Sequence, residues 1–295
     1  MEMKFLVTGA AGLVGSQVVK DLVQQNYTVY SCYHDEKPLY GTPVLLDLTD
    51  KEKIIQTLQN TKPDRIIHLS AMTDVDLCET ENELAIIINA DATETMAKQA
   101  AKQKTFFVYV STDYVFDGVN GMKKENDSTN PLGFYGKSKL KGETALNKLA
   151  SSWCIVRISS PFGTHSKKKS FPLWIKENLE VKKEIPVLID QFTTPTYVPN
   201  LSKMLIEITI KQITGIIHLS GATRISRYHL AELVANKLNL DKNFLIPTKI
   251  NTMNWKSQRP KDSSLDVSLA NDILDEKPQE IKQSLELFIN ELKST

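Results

Sequence analysis

Lys4-Phe5-Leu6-Val7-Thr8-Gly9-Ala10-Ala11-Gly12-Leu13-Val14-Gly15-Ser16-Gln17-Val18-Val19-Lys20-Asp21-Leu22-Val23 decides the fold. Its first five residues form a short apolar run of strand character, and from Ser16 the apolar residues recur at helical spacing. Between the two runs, glycines fall at i, i+3 and i+6. Strand, glycine turn and helix in that order make a dinucleotide-binding turn, where small residues let the backbone approach a pyrophosphate at a helix N-terminus. The cofactor contacts expected here are Gly9, Ala11, Gly12, Leu13 and Val14.

Downstream the same alternation continues. Strand character at Tyr27 to Tyr33 and Pro43 to Leu46 precedes a helix over Lys51 to Gln59. A strand over Asp64 to Leu69, a long helix over Asn82 to Lys102 and a buried strand over Phe106 to Val110 come next. Helix Tyr135 to Leu149 and strand Cys154 to Ile158 bring the count to roughly six strands. Such a chain predicts an α/β fold, a Rossmann-like doubly wound parallel sheet with a smaller C-terminal substrate lobe. The NAD(P)-binding domain is expected over residues 1–160, with about 196–222 returning to it. Residues 161–195 and 223–295 are expected to form the lobe, packed over the sheet edge.

Ligands of open α/β sheets lie at the carboxyl ends of the strands, which directs attention to Ser70, Ala71, Ser111, Thr112 and the residues after Ile158. Asp47, beside Leu48 after the third strand, is placed either to accept from an adenine amino group or to serve as an acid near a helix N-cap. The second strand ends Cys32-Tyr33-His34, without the acid that would bind a ribose 2′-hydroxyl and mark NAD. His34 or Lys37 can face a 2′-phosphate instead, so NADP is the expected cofactor, with NAD left open.

Tyr135 and Lys139 stand four residues apart on a helix and share a face. An ammonium about 4 Å from a phenol is worth roughly 4 kcal/mol at an effective dielectric of ~20, about three pK units, which would bring the phenol toward neutrality. Tyr33 and Lys37 share that spacing but lie in the polar loop His34 to Pro38, whereas Tyr135 follows a strand ending in hydroxyls. A hydroxyl from Thr112 that polarises a carbonyl, a phenol that protonates it and a lysine that tunes the phenol form a hydride-transfer site. His68 and His218 lie within apolar strands and read as core histidines. Neither a Ser-His-acid arrangement nor a metal-ligand cluster is present, and Gly136-Lys-Ser138 lacks the upstream glycine of a P-loop.

Composition narrows the partners. With 36 basic and 35 acidic residues the net charge is +1, leaving no global field for nucleic acid or an anionic membrane, so a small molecule is the expected ligand. Three scattered cysteines suit a reducing compartment, with Cys32 and Cys154 read as core residues. The chain enters a strand directly and no apolar run approaches the ~18 residues of a membrane span, so a cytoplasmic protein is expected. The Lys-rich loop His165 to Ser170 reads as a solvated tip or as a basic flank for a diphosphate.

With these residues in view, the chain resembles the extended short-chain dehydrogenase/reductase superfamily and, within it, the dTDP-4-dehydrorhamnose reductase family. Thr8 to Gly15, Val110-Ser-Thr-Asp-Tyr-Val-Phe-Asp-Gly118, Tyr135-Gly-Lys-Ser-Lys139 with Gly142-Glu143, Asp190-Gln191 with Pro195-Thr196, and Arg259-Pro260 carry the resemblance. It implies Thr112, Tyr135 and Lys139 as the catalytic trio and Asn89 as a matching helix asparagine. Tyr135 and Lys139 also border the cofactor. Thr73, Asp113, Ser160, Gln191 and Arg259 are implied to contact the substrate, Arg259 holding a nucleotide diphosphate bidentately. The family usually carries a tryptophan after the Arg-x-Ser of the sixth strand. This chain has Arg157-Ile-Ser-Ser160-Pro161, without that aromatic platform.

The implied activity is NAD(P)H-dependent reduction of the 4-keto group of a nucleotide-activated 6-deoxy sugar, as in dTDP-rhamnose biosynthesis, with a homodimer as the conceivable assembly. Two alternatives stay open: a sugar-nucleotide 4-epimerase, and a non-catalytic NADP-binding regulatory subunit similar to the β subunit of methionine adenosyltransferase.

Overall fold

A computed structural model describes residues 3–149, 152–165 and 169–294. In chain order the elements are β1 (Lys4–Thr8), α1 (Leu13–Gln24), β2 (Thr28–Tyr33), β3 (Thr42–Leu45), α2 (Lys51–Thr61), β4 (Arg65–His68), α3 (Val75–Thr80), α4 (Asn82–Ile86) and α5 (Ala92–Gln103). They continue through β5 (Phe106–Thr112), α6 (Phe134–Leu149), β6 (Trp153–Ile158), β7 (Pro161–Phe162), α7 (Phe171–Glu180), β8 (Ile185–Leu188), β9 (Phe192–Thr193), β10 (Thr196–Tyr197) and α8 (Val198–Lys211). The last are β11 (Gly215–His218), β12 (Ile225–Ser226), α9 (Arg227–Leu238), β13 (Leu245–Thr248), α10 (Ser268–Ile273) and α11 (Ile281–Ser294).

Seven parallel strands form the central sheet in the order β11-β6-β5-β4-β1-β2-β3. The strand order reverses between β1 and β4, which opens a crevice at their carboxyl ends. Every residue of β5 is buried, as a central strand covered on both faces requires. Its alternation sorts the layers: Phe106, Val108 and Val110 pack with α1 and α8, while Phe107 and Tyr109 pack with α2, α5 and α6. The seventh strand, β11, adds an edge beside β6 to the six counted from sequence. A separate core of Phe162, Ile175, Leu179, Val187, Leu230 and Phe288 holds the smaller lobe together.

The expected single helix over Asn82 to Lys102 is instead interrupted. Between α4 and α5 the residues Ile87–Asp91 form a π turn. Such a turn widens the helix locally and is common at functional sites. Here it carries Asn89, whose side chain reaches out of the helix to the backbone of Met72.

Candidate active site

The turn between β1 and α1 explains its glycines. Gly9 has φ +66°, the left-handed region that favours glycine, and a Cβ on Gly15 would lie 2.0 Å from the carbonyl oxygen of Gly9. The helix therefore packs directly on the turn. Gly12 N–H donates to Gly9 O at 2.9 Å, and the N-cap, Gly12 itself, brings no side-chain cap to the first turn of α1. Those uncapped N–H groups and the positive end of the helix dipole suit a pyrophosphate, so the residues present fit a dinucleotide. From the lobe, His165 Nε2 lies 3.1 Å from Ala11 O, a contact with this turn that the basic composition of the loop does not foretell. Ser166, Lys167 and Lys168 of that loop lie outside the described residues.

The structure brings His34 and Asp47 together at the ends of β2 and β3, with Nε2 and Oδ2 3.7 Å apart. Asp47 Oδ1 accepts from both the N–H and the hydroxyl of Thr49 at 2.8 Å. Those two bonds hold its carboxyl below the usual range. Leu48 turns into the core behind it. Ser70 and Ala71, after β4, are half-buried on the same side of the sheet.

Behind β4 a buried hydrogen-bond chain fixes the crevice floor. Thr93 Oγ1 donates to Asn89 O at 3.0 Å, so it accepts from His68 Nε2 at 3.2 Å. That assignment puts the imidazole proton on Nε2 and leaves Nδ1 to accept from Thr8 Oγ1 at 2.7 Å. Thr8 Oγ1 in turn accepts from the N–H groups of Leu69 and Ser70. Asn89 clamps the next segment, accepting from Met72 N–H at 2.8 Å and donating to Met72 O and to Ser138 Oγ of α6.

Burial pushes His68 down to about 3, with Lys139 adding to the shift, and His218 down to about 4. Both are core histidines, as their strands suggested. The unfolded chain protonates them near pH ~6.5 while the fold does not, so between pH ~6.5 and about 4 the unfolded state binds more protons. Stability is therefore expected to fall on acidification through that window, by at most about 1.4 kcal/mol per pH unit for each histidine. Urea unfolding between pH 7 and 4 checks this. His68→Gln should flatten the dependence, and an unchanged slope would mean that His68 titrates normally in the fold.

The catalytic candidates converge at the end of β5. Thr112 Oγ1 donates to Asp113 Oδ1 at 3.0 Å and accepts from Tyr114 N–H at 3.2 Å. Ser159 Oγ donates to Asp113 Oδ2 at 2.8 Å. Asp113 is thus buried with both carboxylate oxygens occupied, and it orients Thr112 from behind. Its carboxyl is pushed up by burial, against the bonds from Ser263, Ser159 and Thr112.

Tyr135 is partly exposed and edge-on to Tyr114, ring centroids 5.8 Å apart. Lys139 is 2% exposed, donates from Nζ to Val110 O at 2.7 Å and lies 4.1 Å from the centre of the Tyr109 ring. The expectation that Lys139 draws the phenol toward neutrality is corrected here. Desolvation pushes the Tyr135 phenol upward, opposed by a hydrogen bond with Thr112. The Lys139 amine is pushed down to about 7 by its burial, with Glu143 resisting. Each charged form loses water before it gains a partner, and that loss outweighs the pair attraction assumed from spacing.

Of the remaining candidates, Thr73 is exposed beyond β4, and Gln191 is buried with Nε2 donating to Pro260 O at 3.3 Å. Arg259 Nη2 meets Asp76 Oδ2 at 3.0 Å, and the guanidinium lies 5.0 Å from the Trp255 ring. Ser257 N–H also donates to Asp76, so the lobe is fastened to α3 across the crevice rim. Ser160 has φ +42° and accepts from Arg227 Nη2 at 3.0 Å. Arg227 escaped the sequence reading, because nothing marks a lone arginine after a helix N-cap as facing another segment 67 residues away. No cluster of His, Cys, Asp or Glu that could hold a metal occurs among the described residues. Nor is any described helix long and apolar enough to cross a membrane.

A family model described as the RmlD substrate binding domain matches residues 3–294. The chain is 32% identical over 271 residues to a probable low-salt glycan biosynthesis reductase of Haloferax volcanii, covering 90% of each chain. It is 30% identical over 273 residues to methionine adenosyltransferase 2 subunit beta of Danio rerio, covering 90% of this chain and 83% of the relative. Among solved structures, dTDP-4-dehydrorhamnose reductase of Bacillus anthracis in complex with NADP superimposes with a TM-score of 0.90 at 29% identity, over 99% of this chain and 100% of that one.

Proposed function

Because the chain belongs to the RmlD substrate binding domain family, we propose that it is an NADP-dependent reductase acting on the 4-keto group of a nucleotide-activated 6-deoxy sugar, as dTDP-4-dehydrorhamnose reductase does. The single observation that carries this reading is the convergence of Thr112 and Tyr135 at the end of β5, with Lys139 buried one helical turn beyond the phenol.

Gly9, Ala11, Gly12, Leu13 and Val14 would hold the pyrophosphate, and His34 and Asp47 would flank the adenosine end, His34 toward a 2′-phosphate. Bound there, a reduced nicotinamide supplies the hydride for C4 of the sugar. Tyr135 gives its proton to the oxygen on C4, which becomes an alkoxide as hydride arrives and is basic enough to take it even from a phenol pushed up by burial. Lys139, in its charged form, would stabilise the phenolate through the desolvated site without itself exchanging a proton in the step. Thr112, its hydroxyl held by Asp113, fixes the end of β5 beside the phenol, and would have to turn from Asp113 to donate to the reacting oxygen. Arg259 would release Asp76 in exchange for the nucleotide diphosphate, a bidentate match for its guanidinium. Thr73, Ser160 and Gln191 line the remaining path of the substrate.

Purified protein supplied with dTDP-4-dehydrorhamnose should consume NADPH in proportion to sugar reduced. A 4-epimerase would show no net consumption. Tight NADP binding without turnover on any keto-sugar nucleotide would overturn the enzyme reading in favour of a regulatory subunit.

A further inference from the structure

Among the five arginines, Arg65 donates to the carbonyls of Thr209 and Asp64, and Arg227 is set apart from the three that bear on the lobe. Arg157, Arg224 and Arg259 each hold a carboxylate: Glu143, Asp262 and Asp76. Arg227 has none within 4 Å among the described residues. Its guanidinium lies 4.9 Å from the Phe171 ring and donates one N–H to Ser160 Oγ at 3.0 Å. A guanidinium carries five N–H donors, so most of them have no acceptor among the described residues. Desolvation holds its pKa below the ordinary value, against the pull of Tyr114 and Asp113.

Two anchors fix its place. Arg227 N–H donates to Gln191 O at 2.9 Å, where β12 pairs with β9. Ser160 sits in the left-handed region, held by Thr196 N–H on its own carbonyl at 3.2 Å and by Thr196 Oγ1 on Ser159 O at 2.6 Å. A serine kept at positive φ marks a site that the surrounding structure over-determines. One residue back, Ser159 Oγ bonds Asp113, which bonds Thr112. Arg227 therefore adjoins the reacting end of the crevice, whereas Arg259 lies at the rim with Asp76 and Trp255.

We propose that Arg227 and Ser160 form a donor-lined subsite for an oxygen-bearing substituent of the sugar ring, and that Arg227 is a specificity-determining residue for the sugar rather than for the nucleotide. This rests on the nucleotide-sugar reading above. The pair occupies the corner between β6 and β7, where the short Ser160 side chain meets the guanidinium. Phe171 backs the guanidinium plane and limits its rotation, so its free edge is presented in one orientation.

Calorimetric titration of wild type and Arg227→Met with dTDP-rhamnose, dTDP and NADPH separates the roles. A methionine keeps the packing on Phe171 and removes the donors. The expected result is about a 10- to 100-fold loss of affinity for the nucleotide sugar, as for a hydrogen bond to a charged group, with dTDP and NADPH changed less than about twofold. Ser160→Ala should weaken the sugar nucleotide in the same direction by a smaller factor. In turnover, Arg227→Met should raise KM more than it lowers kcat. Equal loss for dTDP would make Arg227 a diphosphate ligand, and no loss for either would leave it a packing residue; both outcomes overturn the proposal. Wild type failing to bind any nucleotide sugar would instead sink the functional reading on which it rests.

Discussion

Tyr135→Phe is expected to lower kcat by about 10²- to 10⁴-fold, roughly 3–5 kcal/mol of transition-state stabilisation, while NADPH affinity stays near that of wild type. The phenol is the one acidic O–H that reaches the crevice from α6, and its neighbours Thr112 and Tyr114 cannot replace it. Thr112 already donates to Asp113, and the Tyr114 ring stands edge-on to that of Tyr135 with the centroids 5.8 Å apart, so its hydroxyl does not take the same place. Phenylalanine keeps the ring and its edge-on contact with Tyr114, so the substitution removes a proton donor and little else. Steady-state kinetics with binding measured separately checks this. A loss below about tenfold would transfer the proton donation to water or to another group.

Glu143→Ala is expected to cost about 3–5 kcal/mol of folding stability, because it strands a buried guanidinium. Arg157 and Glu143 are 3% and 4% exposed and pair bidentately, Nε to Oε1 at 3.1 Å and Nη2 to Oε2 at 2.8 Å. The pair ties α6 to β6, and α6 carries both Tyr135 and Lys139. The N–H that Arg157 Nη1 directs at Glu125 O at 3.3 Å cannot compensate for the lost charge. Urea unfolding measures the effect, and a loss under about 1 kcal/mol would mean that water reaches the guanidinium. Glu143 also supports the charged form of Lys139, so the surviving folded fraction should need a lower pH to charge that amine.

The sheet was legible because its determinants are local. The glycine turn of residues 9–15, the unbroken apolar run of β5 and the 3.6-residue pattern of α1 each specify their element within a few residues. Tyr135 and Lys139 were legible for the same reason, since one helix sets their relation. The π turn at Asn89 was not, because it depends on the Met72 backbone 17 residues earlier. Arg227 and His165 reach the crevice only through the packing of the lobe, which periodicity does not encode. The directions of the Tyr135 and Lys139 shifts also escaped, since they follow from desolvation, a property of the assembled site rather than of spacing.

The central claim is that this site delivers hydride to C4 of a nucleotide sugar with Tyr135 as the acid. NADPH deuterated at the transferable position of its nicotinamide, incubated with dTDP-4-dehydrorhamnose and the protein, tests it most directly. The account predicts dTDP-rhamnose carrying one deuterium on C4, formed by wild type and at a small fraction of that rate by Tyr135→Phe. Deuterium elsewhere on the sugar, or none in any product while NADP binds tightly, would contradict it.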